Sequence, residues 1–321
     1  MKTSKQFLLA VAAALLPLAA TAQTYPSKPV RLIVPFAPGG ATDVIARLTG
    51  QKLSDALGQQ FVIDNRPGAN GNIGTEMAAK AQSDGYTLVM SYDGTLAINP
   101  SVYRNMPFDP QKDLVPIANV AQLPLLMVVH PGIAAKTVAE FVALAKASPG
   151  KINFSGAGYG SAGHLAAELF RARAGIDIVH VNYKGGGQAV QDLLGGQIQM
   201  LMTGLTTVEG HLKAGKLRAL AFTSARRMPG APDVPTFSES GYPVVAYSWY
   251  GILAPAGTPQ DIVRKLNADI NRILQAPEVR ERLTALGTEP TGGTPEQFAE
   301  TIKADTARWA KVVADANIRI D

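Results

Sequence analysis

The feature that most constrains this chain is a unit that occurs twice: a short apolar run, a glycine-rich turn, and the start of a long amphipathic stretch. Val30 to Val34 leads through Pro35-Phe36-Ala37-Pro38-Gly39-Gly40 into Ala41 to Leu57. Ile152 to Ser155 leads through a second glycine turn into Ala162 to Ala174. Runs of this kind followed by helical periodicity predict strand–loop–helix units, and such units build an open α/β sheet covered by helices on both faces. The chain has 321 residues, more than one hydrophobic core normally organises, so two lobes are expected.

Around each unit the rhythm continues. Phe61 to Asp64 and Tyr86 to Met90 read as strands, with a helix over Asn72 to Gln82 between them. Leu114 to Val120 and Leu125 to Val129 are continuous apolar runs, the type found where both faces of a strand are buried. Thr137 opens a helix with Glu140 at capping-box spacing. Asp177 to Asn182, Met200 to Thr203 and Leu217 to Phe222 read as further strands, and Gln188 to Leu194 as a helix. Pro229 to Pro243, rich in Pro, Ser and Gly, marks a return to the first lobe. Three helices follow, opened at Pro259, Pro277 and Pro295, the first helical position that proline favours. The expected architecture is two α/β lobes, each a doubly wound, mainly parallel sheet. Residues 23–124 with 245–321 form the first lobe and 125–244 the second.

The N-terminus carries Lys2 and Lys5, an apolar run from Phe7 to Leu16, and Ala20-Thr21-Ala22. That order is the one of a secretory signal peptide, with cleavage expected after Ala22. The run falls short of the roughly 20 residues a membrane-spanning helix needs. There are no cysteines, which excludes disulfides, thiolate metal sites, a cysteine nucleophile and lipid attachment at a lipobox. The formal charge is +5, or +3 without Lys2 and Lys5, and the basic residues are scattered, with only the pairs Arg226-Arg227 and Arg264-Lys265 adjacent. No basic stripe with interleaved aromatics is present, so nucleic acid is not an expected partner. A mild positive balance is compatible with a small anionic ligand.

The chemistry is expected in the turns. Phe36, Ala37, Pro38, Gly39, Gly40 and Thr42 surround the start of one helix, and Ser155, Gly158, Tyr159, Gly160, Ser161 and His164 the start of the other. Glycines let main-chain N–H groups approach a ligand, and a helix N-terminus adds partial positive charge, so each turn is suited to an anion without needing an arginine. The same glycines also serve as plain tight turns, with Thr42 or Ser161 as helix caps. Equivalent placement of both turns favours a shared cleft at the carboxyl ends of the strands. Ser91 and Thr95 follow the strand at Tyr86, Thr203 ends the strand at Met200, and Tyr183-Lys184 precedes a third glycine turn; all five are candidates for the same cleft.

Rival motifs fit less well. Gly158-Tyr159-Gly160-Ser161-Ala162-Gly163 spells G-x-G-x-x-G, but the next strand ends on Val181-Asn182-Tyr183, without the acid a dinucleotide site wants. Ser161 is not in a G-x-S-x-G elbow, since Tyr159 holds the place of the first glycine. An exported hydrolase using Ser161 and His164 therefore stands as an alternative, as does an extracytoplasmic sensor that binds the same ligand. No histidine or acidic spacing of a metal site is present, and no cofactor is expected.

At these turns the sequence resembles the substrate-binding receptors of tripartite tricarboxylate transporters, the Bug proteins. The resemblance rests on Tyr25-Pro26-Ser27-Lys28-Pro29-Val30, Val34-Pro35-Phe36-Ala37-Pro38-Gly39-Gly40-Ala41-Thr42-Asp43 and Asn65-Arg66-Pro67-Gly68-Ala69-Asn70-Gly71-Asn72-Ile73-Gly74. It continues through Ser83-Asp84-Gly85-Tyr86-Thr87, Gly158-Tyr159-Gly160-Ser161, Val181-Asn182-Tyr183-Lys184-Gly185 and Leu253-Ala254-Pro255-Ala256-Gly257-Thr258-Pro259. The resemblance implies a monomeric, two-lobed Venus-flytrap receptor of the periplasm that delivers a small carboxylate to membrane permease subunits. It also implies that Phe36–Thr42 and Gly158–Ser161 act as pincers on a ligand carboxylate, with specificity at the ligand's far end. The mature protein is expected to begin at Gln23, and an intact-mass measurement on exported protein checks this; a mass that includes residues 1–22 contradicts it.

Overall fold

The computed structural model describes residues 25–156, 158–183 and 186–318. The predicted signal segment 1–22 and Lys184 lie outside the described residues. The element order is β1 (Val30–Val34), α1 (Ala41–Leu57), β2 (Phe61–Asn65), α2 (Asn72–Ala79), β3 (Thr87–Tyr92), α3 (Asn99–Val102), β4 (Leu114–Val129), α4 (Val138–Ala147), β5 (Asn153–Ser155) and α5 (Ala162–Ala174). It continues β6 (Val179–His180), α6 (Gly186–Leu194), β7 (Met200–Gly204), α7 (Leu205–Lys213), β8 (Arg218–Phe222), β9 (Tyr247–Pro255), α8 (Gln260–Gln275), α9 (Pro277–Ala285), β10 (Glu289–Pro290) and α10 (Pro295–Asp315). This is the two-lobed α/β fold expected.

The strands run in the order β2-β1-β3-β9-β4-β7-β5-β6, with β8 and β10 also paired to β4. Outer strands pair in parallel: β1 with β2 and β3, and β5 with β6 and β7. The centre is antiparallel, because β4 and β9 carry the chain in opposite directions between the two halves. Along β4 the partner changes abruptly. Leu114 to Pro124 face β9, ending at Pro124 opposite Tyr247, whereas Leu125 to Val129 face β7 and β8. The two apolar runs separated in the sequence reading are therefore one 16-residue strand. Register shifts between Pro116 and Ala118 and between Asn119 and Ala121 bend it, as β-bulges do.

Why the strands lack strict polar alternation is now plain: both faces are covered. Val30, Leu32 and Val34 point into one core with Leu88, Met90, Ile270 and Leu274, while Ile33 and Val89 point into the other with Trp309. Leu126, Val128 and Leu201 form a third core under α6 and α7. The C-terminal helix α10 starts at a full capping box, Thr294 with Gln297 and Pro295 at the first position. It buries Trp309 in the core that also holds Phe170 and Leu165 of α5, so it braces both halves. Four elements were not anticipated, α3, α7, β9 and β10.

Two glycines on β9 and α1 show how tightly the layers meet. A Cβ on Gly251 would lie 2.2 Å from Cζ of Phe298 and 2.9 Å from the Ala118 carbonyl, and a Cβ on Gly50 3.2 Å from Cδ1 of Ile63. Only the first involves backbone that cannot yield. Gly251→Ala is expected to cost about 1–3 kcal/mol by overpacking, read as a melting temperature lowered by a few degrees; an unchanged melt contradicts this packing.

Candidate functional site

Between the halves lies a cleft of about 770 Å³, lined by residues from both. Its first wall begins at β1. The turn after Val34 is pinned by Asp43, which is buried at the start of α1. The Asp43 carboxylate accepts from the Gly39 amide at 2.9 Å, from Arg47 Nε at 2.9 Å and from Asn65 Nδ2 at 2.9 Å, while Asn65 Nδ2 also donates to the Phe36 carbonyl at 3.0 Å. Burial alone would raise the Asp43 pKa, but the Arg47, Gly39 and Asn65 hydrogen bonds outweigh it and hold the carboxyl below the usual carboxylate range. Gly39 takes φ +88°, a conformation that favours glycine.

The consequence of this pinning is an open helix start. Gly40 is the N-cap of α1 and has no side chain to cap with. The first intrahelical bond is Val44 N–H to the Gly40 carbonyl. The N–H groups of Ala41, Thr42 and Asp43 lie ahead of it, and among the described residues none accepts from them. Ala41 lines the cleft.

The second wall is built the same way on α5. Ser161 caps the helix by accepting from His164 N–H, and the first intrahelical bond is Leu165 N–H to the Ser161 carbonyl. Ala162 and Gly163 are left ahead of it, and both line the cleft. The turn is held by Tyr159 N–H donating to Asn182 Oδ1 at 2.9 Å and by Gly160 N–H donating to His164 Nδ1 at 3.0 Å. Since Nδ1 accepts, the His164 proton sits on Nε2. That nitrogen faces Glu168 at 3.6 Å, and Arg171 pairs with the same carboxylate at 2.7 Å.

Aromatic and amide groups complete the cleft. Phe36 meets Tyr92 edge-on with ring centroids 5.0 Å apart, and Tyr92 stacks near Tyr250 at 6.4 Å. The Tyr92 hydroxyl donates to Asn70 Oδ1 at 2.7 Å. Asn70 sits on a tight turn at φ 50° and its carbonyl accepts from Thr95 at 2.9 Å and Asn99 at 3.1 Å. Ser248 lines the cleft and donates to buried Asp93 at 2.6 Å. No described residue lining the cleft carries a formally charged side chain.

With this geometry in place, the comparisons with known proteins decide the family. The sequence profile of the tripartite tricarboxylate transporter family receptor matches residues 45–318. The chain is 41% identical over 302 residues to protein BugT of Bordetella pertussis, covering 94% of this chain and 93% of that one. The chain belongs to the tripartite tricarboxylate transporter receptor family. Among solved structures, it is similar to Rpa4515 of R. palustris with adipate, at TM-score 0.83 and 38% identity over 92% of this chain and 99% of that one. It is likewise similar to MatC of Rhodopseudomonas palustris with bound malate, at TM-score 0.78 and 33% identity over 90% of this chain and all of that one.

In this receptor, six of the sequence candidates line the cleft: Phe36, Gly158, Tyr159, Ser161, Tyr183 and Thr203. Ala37, Pro38, Gly39 and Gly40 form the exposed turn beside it, and Thr42 is buried in the first turn of α1. Ser91, Thr95, Ser155 and His164 are buried behind the wall rather than in it, and Gly160 is likewise buried. Ser91 faces Thr75 at 3.4 Å, and Ser155 donates to the Val181 carbonyl at 2.8 Å. The Ser161 and His164 side chains do not form a nucleophile–base pair, because Ser161 Oγ takes the backbone N–H and both ring nitrogens of His164 face elsewhere. Among the described residues, no group of three or more His, Cys, Asp and Glu could hold a metal, and no helix is long and apolar enough to cross a membrane. Asn70, Tyr103, Thr206 and Thr207 also line the cleft and were missed. The Asn70-Gly71 pair, a turn signal beside an apolar helix, could have drawn attention to the first of these.

Two groups under the walls, buried Asp93 and half-buried His180, are shifted in opposite senses. Burial pushes the Asp93 carboxyl up to about 7, with Asp305 adding repulsion and the Ser248 and Arg308 contacts opposing it. Burial, and then His164 stacked on it at 3.7 Å, press His180 down to about 3. Between about pH 4 and 7 the folded chain holds a proton on Asp93 that the unfolded chain releases, so this group's contribution falls as pH rises. Between about pH 6.5 and 3 the unfolded chain protonates His180 and the folded chain does not, so that contribution is lost as pH falls. Asp93→Asn is therefore expected to reduce the loss of stability on going from pH 5 to 8, and His180→Phe the loss from pH 6.5 to 4. Denaturant titrations at these pH values check both, and unchanged slopes contradict them.

Proposed function

We propose that this receptor works in the periplasm after removal of its signal peptide, capturing a small organic carboxylate between its halves and delivering it to membrane permease subunits. The observation that carries the reading is the pair of open helix starts, Ala41–Asp43 and Ala162–Gly163, on opposite walls of one cleft whose described lining carries no charged side chain. Main-chain N–H groups fixed by Asp43 and His164 replace the hydration of an anion with donors already aimed at it, and the two helix dipoles add favourable field. Hydrogen bonds to an ionised acceptor are the stronger kind, and they bind without covalent commitment.

The halves are proposed to move as lobes of residues 23–124 with 245–321 and of residues 125–244. The change of partner along β4 between Pro124 and Leu125 supports that division. Closure then brings the two helix starts onto one ligand, and ligand affinity for the closed form shifts the population. The adipate and malate held by the related receptors support a carboxylate as the cargo. The receptor is proposed to act as a monomer.

Mass spectrometry of small molecules released by denaturing the purified receptor, followed by a thermal-shift panel of carboxylic acids, tests the reading. A carboxylic acid is expected in the release, and the same acid should raise the melting temperature. A cargo without a carboxylate, or no acid that stabilises the fold, would sink it. Gly40→Val and Gly158→Val probe the walls. A Cβ at Gly40 lies no closer than 3.8 Å to its nearest neighbour and one at Gly158 3.2 Å from the Tyr183 carbonyl, so the fold has room for the first and nearly so for the second. Both are expected to weaken binding about tenfold or more by blocking approach to the amides, equivalent to about 1.4 kcal/mol; calorimetry showing unchanged affinity in both contradicts the pincer.

A further inference from the structure

Behind the cleft wall, just past the end of β3, sits a carboxyl group cut off from solvent. Asp93 is 0% exposed; its Oδ1 lies 2.6 Å from Ser248 Oγ, and its Oδ2 has no hydrogen-bond partner. Ser248 is buried as well but lines the cleft, so a single hydroxyl separates this acid from the proposed cargo space. From α10, Asp305 and Arg308 act on Asp93. Arg308 Nη2 is already paired with Asp305 at 3.0 Å, and its Nη1 donates to the Val245 carbonyl at 2.9 Å. Asp305 also accepts from Trp249 Nε1 at 2.8 Å. From β3 and β9, Tyr92 and Tyr250 face it as neutral phenols, raised far above their usual range by burial first and by the Asp93 charge second. Ser248 and the Gly94 amide favour the charged form, but burial and Asp305 oppose it. A buried carboxylate oxygen left without a partner disfavours ionisation further.

Resting on the carboxylate-binding reading, we propose that Asp93 is a positioning residue that reverses the Ser248 hydroxyl, so that this receptor takes up a proton together with its carboxylate cargo. Ionised Asp93 can only accept, which draws the Ser248 hydrogen to it and leaves Ser248 only lone pairs to offer the cleft. Protonated on Oδ1, Asp93 donates to Ser248 Oγ instead, and the Ser248 hydrogen is released to donate to a ligand carboxylate. The 2.6 Å separation of the two oxygens serves either direction. The proton comes from solvent, and no other bond changes. Charge favours the same outcome. No described lining residue is a cation that could separate a ligand carboxylate from an ionised Asp93, and two like charges in a closed cleft disfavour each other's ionisation.

Calorimetry between pH 6.5 and 8.5 tests this, with aliphatic mono- and dicarboxylates of two to eight carbons as probes, acids that are ionised across that range. Wild-type affinity is expected to fall about fivefold or more from the lower pH to the higher, as linkage to one proton requires. Runs in buffers of different ionisation heat are expected to show net proton uptake on binding. Asp93→Asn keeps the shape, cannot ionise and can still donate to Ser248. Its affinity is expected to be flat across the range and, at pH 8.5, higher than that of wild type. Ser248→Ala is expected to bind several-fold more weakly than wild type at pH 6.5, and melting curves check that both variants keep the fold. Wild-type binding with a flat pH profile and no proton uptake overturns the linkage while leaving the carboxylate-binding reading intact, and that readout needs no variant. A wild-type pH profile that survives in Asp93→Asn, or full affinity in Ser248→Ala at pH 6.5, also overturns it. A receptor that binds none of these acids at any pH overturns both.

Discussion

The hydroxyl of Thr223 sits where the two halves join, and the rest of the structure is arranged around that junction. It accepts from the Leu125 amide at 2.8 Å and donates to the Ala246 carbonyl at 2.6 Å, so one side chain ties the strand leaving the first half to the segment returning to it. Thr223 is fully buried, and its own amide donates to the Leu125 carbonyl at 2.8 Å. At the same place β4 exchanges β9 for β7 and β8 as partners. The crossing is thus narrow, and the Thr223 hydroxyl hydrogen-bonds to both segments that make it. Because both glycine turns lie at the carboxyl ends of strands that flank it, the junction sets where the two open helix starts come to lie.

The arrangement supports the proposal that main-chain donors, and not charged side chains of the described lining, recognise the ligand. A cationic side chain in the cleft would bind an anion strongly, but it would also cost desolvation whenever the cleft closed empty. Main-chain amides avoid this, since their partial charges are fixed and already partly desolvated. What they require is rigidity behind them. Asp43 supplies it on one wall, through a charged hub with Arg47 and Asn65, and His164 supplies it on the other through a neutral imidazole. Neither residue reaches the cleft, yet each decides the position of the groups that do. The proposed mechanism therefore has two layers, main-chain donors in front and the Asp43 and His164 supports behind.

Much of this was legible in the sequence, and the failures have a common cause. Helices α1 and α5 begin and end where periodicity placed them, because a glycine turn, an amphipathic run and a closing glycine agree at each. The antiparallel centre was not seen. β9, Tyr-Ser-Trp-Tyr-Gly-Ile-Leu-Ala-Pro, has the aromatic and β-branched content of a strand, but it follows a proline-rich return and carries Gly251, which is demanded by Phe298 rather than by local preference. Pro116 and Pro124 likewise disguised β4 as two strands, and bulges absorb one of the interruptions. Helix α7 starts directly at the end of β7 with Gly204 as its only punctuation, so nothing local announces it. Side chains such as Ser91, Thr95 and His164 lay near the right loops, but strand and helix phase turned them inward. Local signals locate turns well; which side of a turn faces a partner depends on contacts distant in sequence.

The central claim is that main-chain amides at the helix starts hold the ligand's carboxylate. Backbone amide resonances of ¹⁵N-labelled receptor, followed while the acid released from the purified protein is titrated back, test it most directly. The account predicts that the Ala41, Thr42, Asp43, Ala162 and Gly163 resonances shift downfield together with one saturation curve, as amides do on bonding to a carboxylate. Saturable binding with those resonances unmoved, and the shifts confined to residues outside the cleft, would contradict it.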